Sequence, residues 1–375
     1  MKKTVKHTNK FLRYLPSIVF AVLVFGPFAL NFFVSNTEML DNRPLNPRPT
    51  QIDRNFPLLF DNYYNDTFAW RGRFIRLYNR IRKNTGLAQS EIVINGSDGW
   101  LFFDSFKQKG VDDSIGDFLG AMHYSLEEKQ RAAENLQALS SYAQKHNSFY
   151  LTFFAPNKEN AYEEYMPAKY RDARVSAVSR ADDLFNYINA NTSAKIINMK
   201  PLFLNKKNNV SVPLYQKTDT HWNETGAYLA FEEIIKELNK KGFGIKITSF
   251  DNMKFTPQET RPGDLGRMID STAKEYKYNY SMAASYTCDS EEEDVDVLKC
   301  ASSSGKGKKV LVIRDSFGLA LIAPMSTVFK ETVFLRHPSQ ETIKEYINDF
   351  KPDAVLELKT ERNAAGLIGR TFTLD

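Results

Sequence analysis

Asp219 and His221 stand two residues apart in Lys217-Thr218-Asp219-Thr220-His221-Trp222-Asn223, and Ser316 closely follows the apolar run Val310-Leu311-Val312-Ile313. A hydroxyl, an imidazole that can take its proton and a carboxylate that can orient the imidazole are the parts of an activated serine nucleophile. The chemistry they could perform is acyl transfer, to water or to another hydroxyl. His221 is one of only five histidines. On an extended segment Asp219 and His221 would point to the same side, because side chains alternate with period two. His337 is the reserve base. Ser316 falls in the turn after a strand, where open α/β sheets place ligands and nucleophiles, and a helix over 318–329 would offer backbone N–H groups to an oxyanion.

The elements that must position these residues alternate. Strands are expected at 149–154, 195–199, 309–313, 332–335 and 354–358 from their short apolar runs. Between them lie helical patterns at 126–145, 224–240 and 340–350. Ser125 and Glu128 form a capping box for the first, and Asn223 caps the second. Strands apolar on both faces and separated by helices predict a mainly parallel sheet covered on both sides, a three-layer α/β/α fold. Residues 92–103 read as a hairpin around Asn95-Gly96 and Asp98-Gly99, and 56–82 as an aromatic-rich helix. Residues 250–307 lack the rhythm and are expected to be a polar insertion.

Five basic residues (Lys2, Lys3, Lys6, Lys10, Arg13) precede the uncharged run 15–34. That run has the length of a membrane-crossing helix, about 20 residues, and the basic flank favours a cytoplasmic N-terminus. The expected organisation is a cytoplasmic tail (1–14), a transmembrane signal-anchor (15–34), a proline-bearing linker (35–54) and one extracytoplasmic domain (55–375). The whole chain has 50 basic and 45 acidic residues, a net charge of +5. All of that excess lies before residue 35, so the main domain is formally neutral and gives no support for nucleic-acid binding. Cys288 and Cys300 are the only cysteines. Outside the cytoplasm they are expected to form a disulfide that staples a short loop. No Cys/His spacing points to a metal, and no cofactor is expected.

The two site segments, with Gly226, resemble the alginate O-acetyltransferase family of the AlgJ/AlgX type, SGNH-hydrolase-like proteins also called the DHHW family. Further motifs that match are Asn65-Asp66-Thr67-Phe68-Ala69-Trp70-Arg71, Gly96-Ser97-Asp98-Gly99-Trp100-Leu101-Phe102, Ala155-Pro156-Asn157-Lys158, Gly263-Asp264-Leu265 and the stretch 357–362. Their order and spacing hold across most of 55–365. The resemblance implies an SGNH-hydrolase-like sheet between helices, with Ser316 as nucleophile, His221 as general base and Asp219 as the orienting carboxylate. Arg314 stands where an ordinary SGNH esterase has the Gly of its Gly-Asp-Ser block. The oxyanion donors are not fixed by sequence: the Ser316 N–H comes first, and Asn157, Arg314 and Arg362 are candidates. Trp70, Trp100 and Trp222 are candidate sugar platforms, with core packing the alternative for each.

The resemblance implies an O-acetyltransferase that moves acetyl through an acyl-serine onto hydroxyls of an exported polysaccharide. The donor would be a membrane-bound O-acyltransferase partner in the inner membrane, since this chain has no multi-span transporter of its own. A carbohydrate esterase or deacetylase would use the same triad with water as acceptor. A glycan-binding protein that has lost the chemistry is the third reading, and retained function after Ser316→Ala would favour it.

Overall fold

Along the strand Lys306–Arg314, Val310 and Val312 enter one core while Leu311 and Ile313 enter another. This period-two division is what a strand buried on both faces requires. In the computed structural model the described residues are 10–31, 33, 45–85, 90–107, 113–269, 271–282, 284–303 and 306–374. Most of the expected cytoplasmic tail, and positions 35–44 of the linker, lie outside them.

In chain order the strands are β1 (Val93–Asn95), β2 (Leu101–Phe103), β3 (Phe149–Ala155), β4 (Ile196–Asn198), β5 (Thr256–Thr260) and β6 (Glu275–Asn279). They continue with β7 (Tyr286–Cys288), β8 (Val297–Ser302), β9 (Lys306–Arg314), β10 (Phe329–Arg336) and β11 (Ala354–Thr360). The helices of eight or more residues are α1 (Lys10–Leu30), α2 (Phe56–Thr67), α3 (Arg71–Asn84), α4 (Leu126–Lys145), α5 (Arg180–Asn191), α6 (Lys200–Lys207), α7 (Glu224–Lys240) and α8 (Gln340–Phe350). The main sheet runs β4-β3-β11-β9-β10-β8-β7. Its first five strands are mutually parallel; β8 and β7 are antiparallel additions at one edge, so the sheet is mixed. Core residues Leu229, Phe231, Ile234, Ile235 and Leu238 of α7 cover one face, with Leu151, Phe153, Leu356 and Leu358 of the sheet. On the other, Leu136 and Leu139 of α4, Leu184 and Ile188 of α5, and Ile343 and Ile347 of α8 pack on Tyr150, Phe154 and Val355. The three-layer α/β/α arrangement follows from these two cores.

Residues 250–307 are not a detached insertion. They supply β7 and β8 to the main sheet and pair β5 with β6. Their apolar density is low because one face of these strands is wet: in β8, Leu298 and Cys300 are buried while Lys299 and Ala301 are exposed. Cys288 and Cys300 are direct cross-strand partners and form a disulfide.

The chain clusters into two compact units, one of residues 1–90 with 267–270, the other of 91–266 with 271–375. Helices α2 and α3 thus group with the N-terminal segment, and within that unit Phe60, Tyr64, Phe68 and Phe74 follow one another in a series of ring contacts. Among the described residues no helix is long and apolar enough to cross a membrane. The helical part of the uncharged run stops at Leu30. From residue 15 that gives about 24 Å at ~1.5 Å per residue, short of a hydrocarbon core about 30 Å thick.

Candidate active site

Three adjacent parallel strands, β3, β11 and β9, end together and deliver Asn157, the Glu361-Arg362 pair and Ser316 to the carboxyl ends of the strands. Just beyond β9, Asp315 fixes the serine turn. Its carboxylate accepts the Phe317 N–H (2.9 Å) on one oxygen and, on the other, the Thr360 N–H (2.9 Å) and the Asn363 side-chain amide (2.7 Å). Asp315 is therefore the link that locks the Ser316 turn to the end of β11. Ser316 itself is partly exposed.

His221 arrives on a loop closed by the bridge between Tyr215 and Trp222 and by bonds from Gln216 N–H to His221 O (3.2 Å) and Asn223 N–H to Leu214 O (3.1 Å). Asn223 then caps α7 by accepting from the N–H groups of Thr225 and Gly226. His221 Nε2 lies 2.8 Å from Ser316 Oγ, and Nδ1 lies 2.6 Å from Asp219 Oδ1. Serine, imidazole and carboxylate are thus in line. The local geometry differs from the expected extended alternation: Asp219 Oδ1 also accepts the His221 backbone N–H (3.0 Å), so the two side chains meet through an Asx-type turn.

Further residues tighten this turn. Asp219 Oδ2 accepts the Asp264 N–H (2.8 Å). The Asp264 carboxylate in return accepts the Thr220 N–H (2.8 Å) and hydroxyl (2.7 Å). Glu275 accepts the Thr218 N–H and hydroxyl, at 2.7 and 2.6 Å. From beneath, the buried Lys158 ammonium donates to the carbonyls of Lys217 and Asp219, both at 2.8 Å, and sits over the Trp100 and Phe102 rings. Gly263 packs so closely that a Cβ there would lie 2.3 Å from Asp219 Cβ. Of these, Thr218 and Thr220 lie in the Lys217–Asn223 segment, and Gly263, Asp264, Lys158, Trp100 and Phe102 in the other quoted motifs; Glu275 had no sequence signal.

The electrostatics follow. Burial disfavours the Asp219 carboxylate, but the His221 hydrogen bond and charge and the two backbone N–H donors more than offset it, holding its pKa well below the usual range. Burial likewise lowers His221, yet the Asp219 hydrogen bond and charge raise it further, leaving it above its ordinary value. Asp264 is pushed up, by burial first and by the Asp219 charge second. Lys158 is lowered to about 8 by burial, against the pull of Asp219, Glu275 and Asp264. One ligand-type atom from each of Asp219, His221 and Asp264 lies within 4.8 Å of the others. Hydrogen bonds within the loop already engage all of these side chains.

The remaining sequence candidates divide. Asn157 is fully buried; its Oδ1 accepts the Arg362 N–H (3.2 Å) and its own N–H donates to Glu361 (2.7 Å). Its Nδ2 is buried and has no hydrogen-bond partner among the described residues. The Arg362 guanidinium lies over the Phe317 ring, 5.2 Å from its centroid, and near enough to lower the His221 pKa. Arg314 turns elsewhere. Its buried guanidinium donates to Glu293 O (2.7 Å) and faces Asp294 (3.4 Å), so the acidic run answers this cation. Trp222 is only 2 % exposed, donates to Phe317 O (3.0 Å) and stacks on Phe203, so it packs the core and offers no face to a sugar. Trp100 is equally buried, stacked on Tyr162 and Tyr165. Trp70 belongs to the N-terminal unit, and His337 sits exposed on the loop after β10.

A family model described as the SGNH hydrolase-like domain of acetyltransferase AlgX matches residues 93–303, more than half of the chain. The match includes Asp219 and His221 and ends before Ser316. Compared with curated protein sequences, the chain matches none. Among solved structures, Bacillus cereus PatB1 with a sulfonyl adduct is 17 % identical, with a TM-score of 0.55, over 74 % of this chain and 97 % of that one. A DHHW family protein from Eubacterium siraeum is 16 % identical, with a TM-score of 0.52, over 75 % and 99 %. At these identities the two establish the shared fold.

Proposed function

The chain belongs to the family of SGNH hydrolase-like AlgX acetyltransferase domains, and from that premise we propose that it transfers acetyl groups to hydroxyls of a polysaccharide through an acyl-Ser316 intermediate. The observation that carries the reading is the 2.8 Å contact of His221 Nε2 with Ser316 Oγ, backed by the Asp219 carboxylate. In the first half-reaction Ser316 Oγ attacks the carbonyl carbon of an activated acetyl ester and gives its proton to His221 Nε2. The tetrahedral oxyanion then collapses, and the leaving oxygen departs with that proton. In the second, a sugar hydroxyl gives its proton to His221 as it attacks the acyl-serine. Collapse returns the proton to Ser316 Oγ. Asp219 keeps Nδ1–H directed at itself, so Nε2 is free to accept, and it stabilises the imidazolium.

The free Nδ2 of Asn157 and the N–H of Ser316 are the proposed oxyanion donors, and Arg362 flanks the acceptor side. Removing one such donor typically costs ~10²–10³ in kcat. The setting we propose is extracytoplasmic, with attachment through the apolar run 15–34 and acetyl delivered by a membrane-bound O-acyltransferase partner. The test is incubation with an isotopically labelled acetyl ester and a panel of glycans. Label appearing on the glycan in the wild type, and absent in Ser316→Ala, supports transfer. Label released only as acetate, whatever glycan is added, would replace transfer with hydrolysis.

A further inference from the structure

Helix α3 is built inside out. Asn79 is its buried side chain of note, and its amide donates to Met268 O (3.1 Å) within the same compact unit. Phe74, Leu77, Tyr78 and Ile81 follow one another at i, i+3, i+4 and i+7, the spacing of a single helix face. That face is exposed: Leu77, Tyr78 and Ile81 each keep more than half of their surface open. In α2, Leu58, Leu59 and Phe60 are exposed as well. A helix that spends its inner side on an asparagine and shows four large apolar residues outward requires an apolar partner.

Charge identifies the partner. Helix α3 carries six basic residues and no acidic one. By helical geometry the exposed Arg73 and Arg80 line one border of the apolar strip and the half-buried Arg82 the other, while Arg71 turns inward to face Asp66. Arginines along both margins of a Leu/Ile/Phe/Tyr face are the arrangement of a helix lying in a bilayer interface, apolar side in the acyl boundary and guanidinium groups among anionic headgroups. The apolar segment α1 belongs to the same unit. We propose that α2 and α3 form an in-plane membrane-docking surface for anionic lipid. The proposal is independent of the acyl chemistry and does not require α1 to span the membrane.

The test uses the full chain with the native disulfide, carrying a polarity-sensitive fluorophore on Leu77→Cys or Ile81→Cys, or on Lys246→Cys as an exposed control. Each is mixed with phosphatidylcholine vesicles with or without phosphatidylglycerol, then challenged with nitroxide-bearing lipid or aqueous acrylamide. The expected result is lipid quenching and acrylamide shielding at 77 and 81 but not at 246, on phosphatidylglycerol vesicles, lost in an Arg73→Gln/Arg80→Gln background. Retention of the chain after carbonate washing reads the spanning anchor separately. Labels at 77 and 81 that stay open to acrylamide and unquenched by lipid would overturn the proposal. Shielding from acrylamide without lipid quenching would also overturn it, in favour of a second copy of the chain. Equal quenching on phosphatidylcholine alone, unchanged in the arginine variant, would refute the role of anionic headgroups.

Discussion

Gly263→Ala is the sharpest perturbation of the site, because it touches neither Ser316 nor His221. Gly263 does not have a positive φ, so backbone conformation does not demand glycine there. Space does. The new methyl would lie 2.3 Å from Asp219 Cβ, 2.5 Å from Oδ2 and 2.8 Å from Cα. Ordinary contact begins at 3.4 Å, so Asp219 and residue 263 must separate by roughly an ångström. The Asp264 N–H to Asp219 Oδ2 bond and the Asp219–His221 alignment share that movement. A misplacement near 1 Å costs on the order of 10²-fold in rate, and overpacking of this size about 1–3 kcal/mol in stability. The assay pairs turnover of an activated acetyl ester with the rate at which a sulfonyl fluoride modifies Ser316, both below the unfolding transition. Both rates are expected to fall together about 100-fold, with KM little changed. A variant that stays folded and keeps both rates within about threefold of wild type would refute the claim that the 263–264 segment sets Asp219 in place.

Five further outcomes follow from the same geometry. His221 must be neutral to accept a proton and its pKa is raised, so the acidic limb of the kcat profile is expected above pH ~6.5, moving down in Asp219→Asn, with a kcat loss of up to ~10⁴; a limb unmoved in that variant would contradict the pairing. The stability this pair supplies has two margins: the His221 share is complete below pH ~6.5 and lost as pH rises through its raised value, while the Asp219 share is present above pH ~4 and lost as pH falls. Asn157→Ala is expected to lower kcat ~10²–10³-fold with KM nearly unchanged, and a change within threefold would remove Asn157 from the oxyanion site. Lys158→Met deletes two buried charge-assisted bonds and should cost about 3–5 kcal/mol by urea unfolding, an unchanged midpoint contradicting its anchoring role. Trp222→Phe should lose about 1 kcal/mol of stability with glycan affinity intact, because its indole N–H serves the Phe317 carbonyl; selective loss of glycan affinity would restore the sugar-platform reading.

What was legible in the sequence was what short-range physics dictates. The apolar runs of β3, β9 and β11 announce strands buried on both faces, and Ser125 with Glu128 marks the start of α4, where both halves of the capping box are present. Asp219 and His221 were legible because their contact is local, although the mechanism is a turn and not strand alternation. The supports of that turn were not. Glu275 reaches Thr218 and Asp264 reaches Thr220 across 57 and 44 residues, and no spacing rule links such positions. The antiparallel strands β7 and β8 were hidden because a strand with one wet face carries few apolar residues. Residue type alone did not decide Trp222 or Arg314, which suit either a site or a core; the carbonyl of Phe317 takes one and the 293–295 loop the other.

The covalent step is the centre of the account. Intact-mass measurement of the full chain after brief exposure to an activated acetyl ester, beside Ser316→Ala and His221→Ala, tests it directly. A single acetyl adduct on Ser316 is expected, absent from both variants and discharged onto glycan hydroxyls when an acceptor is added. Ester turnover in the wild type with no adduct under any quench, or an adduct that persists in Ser316→Ala, would contradict it.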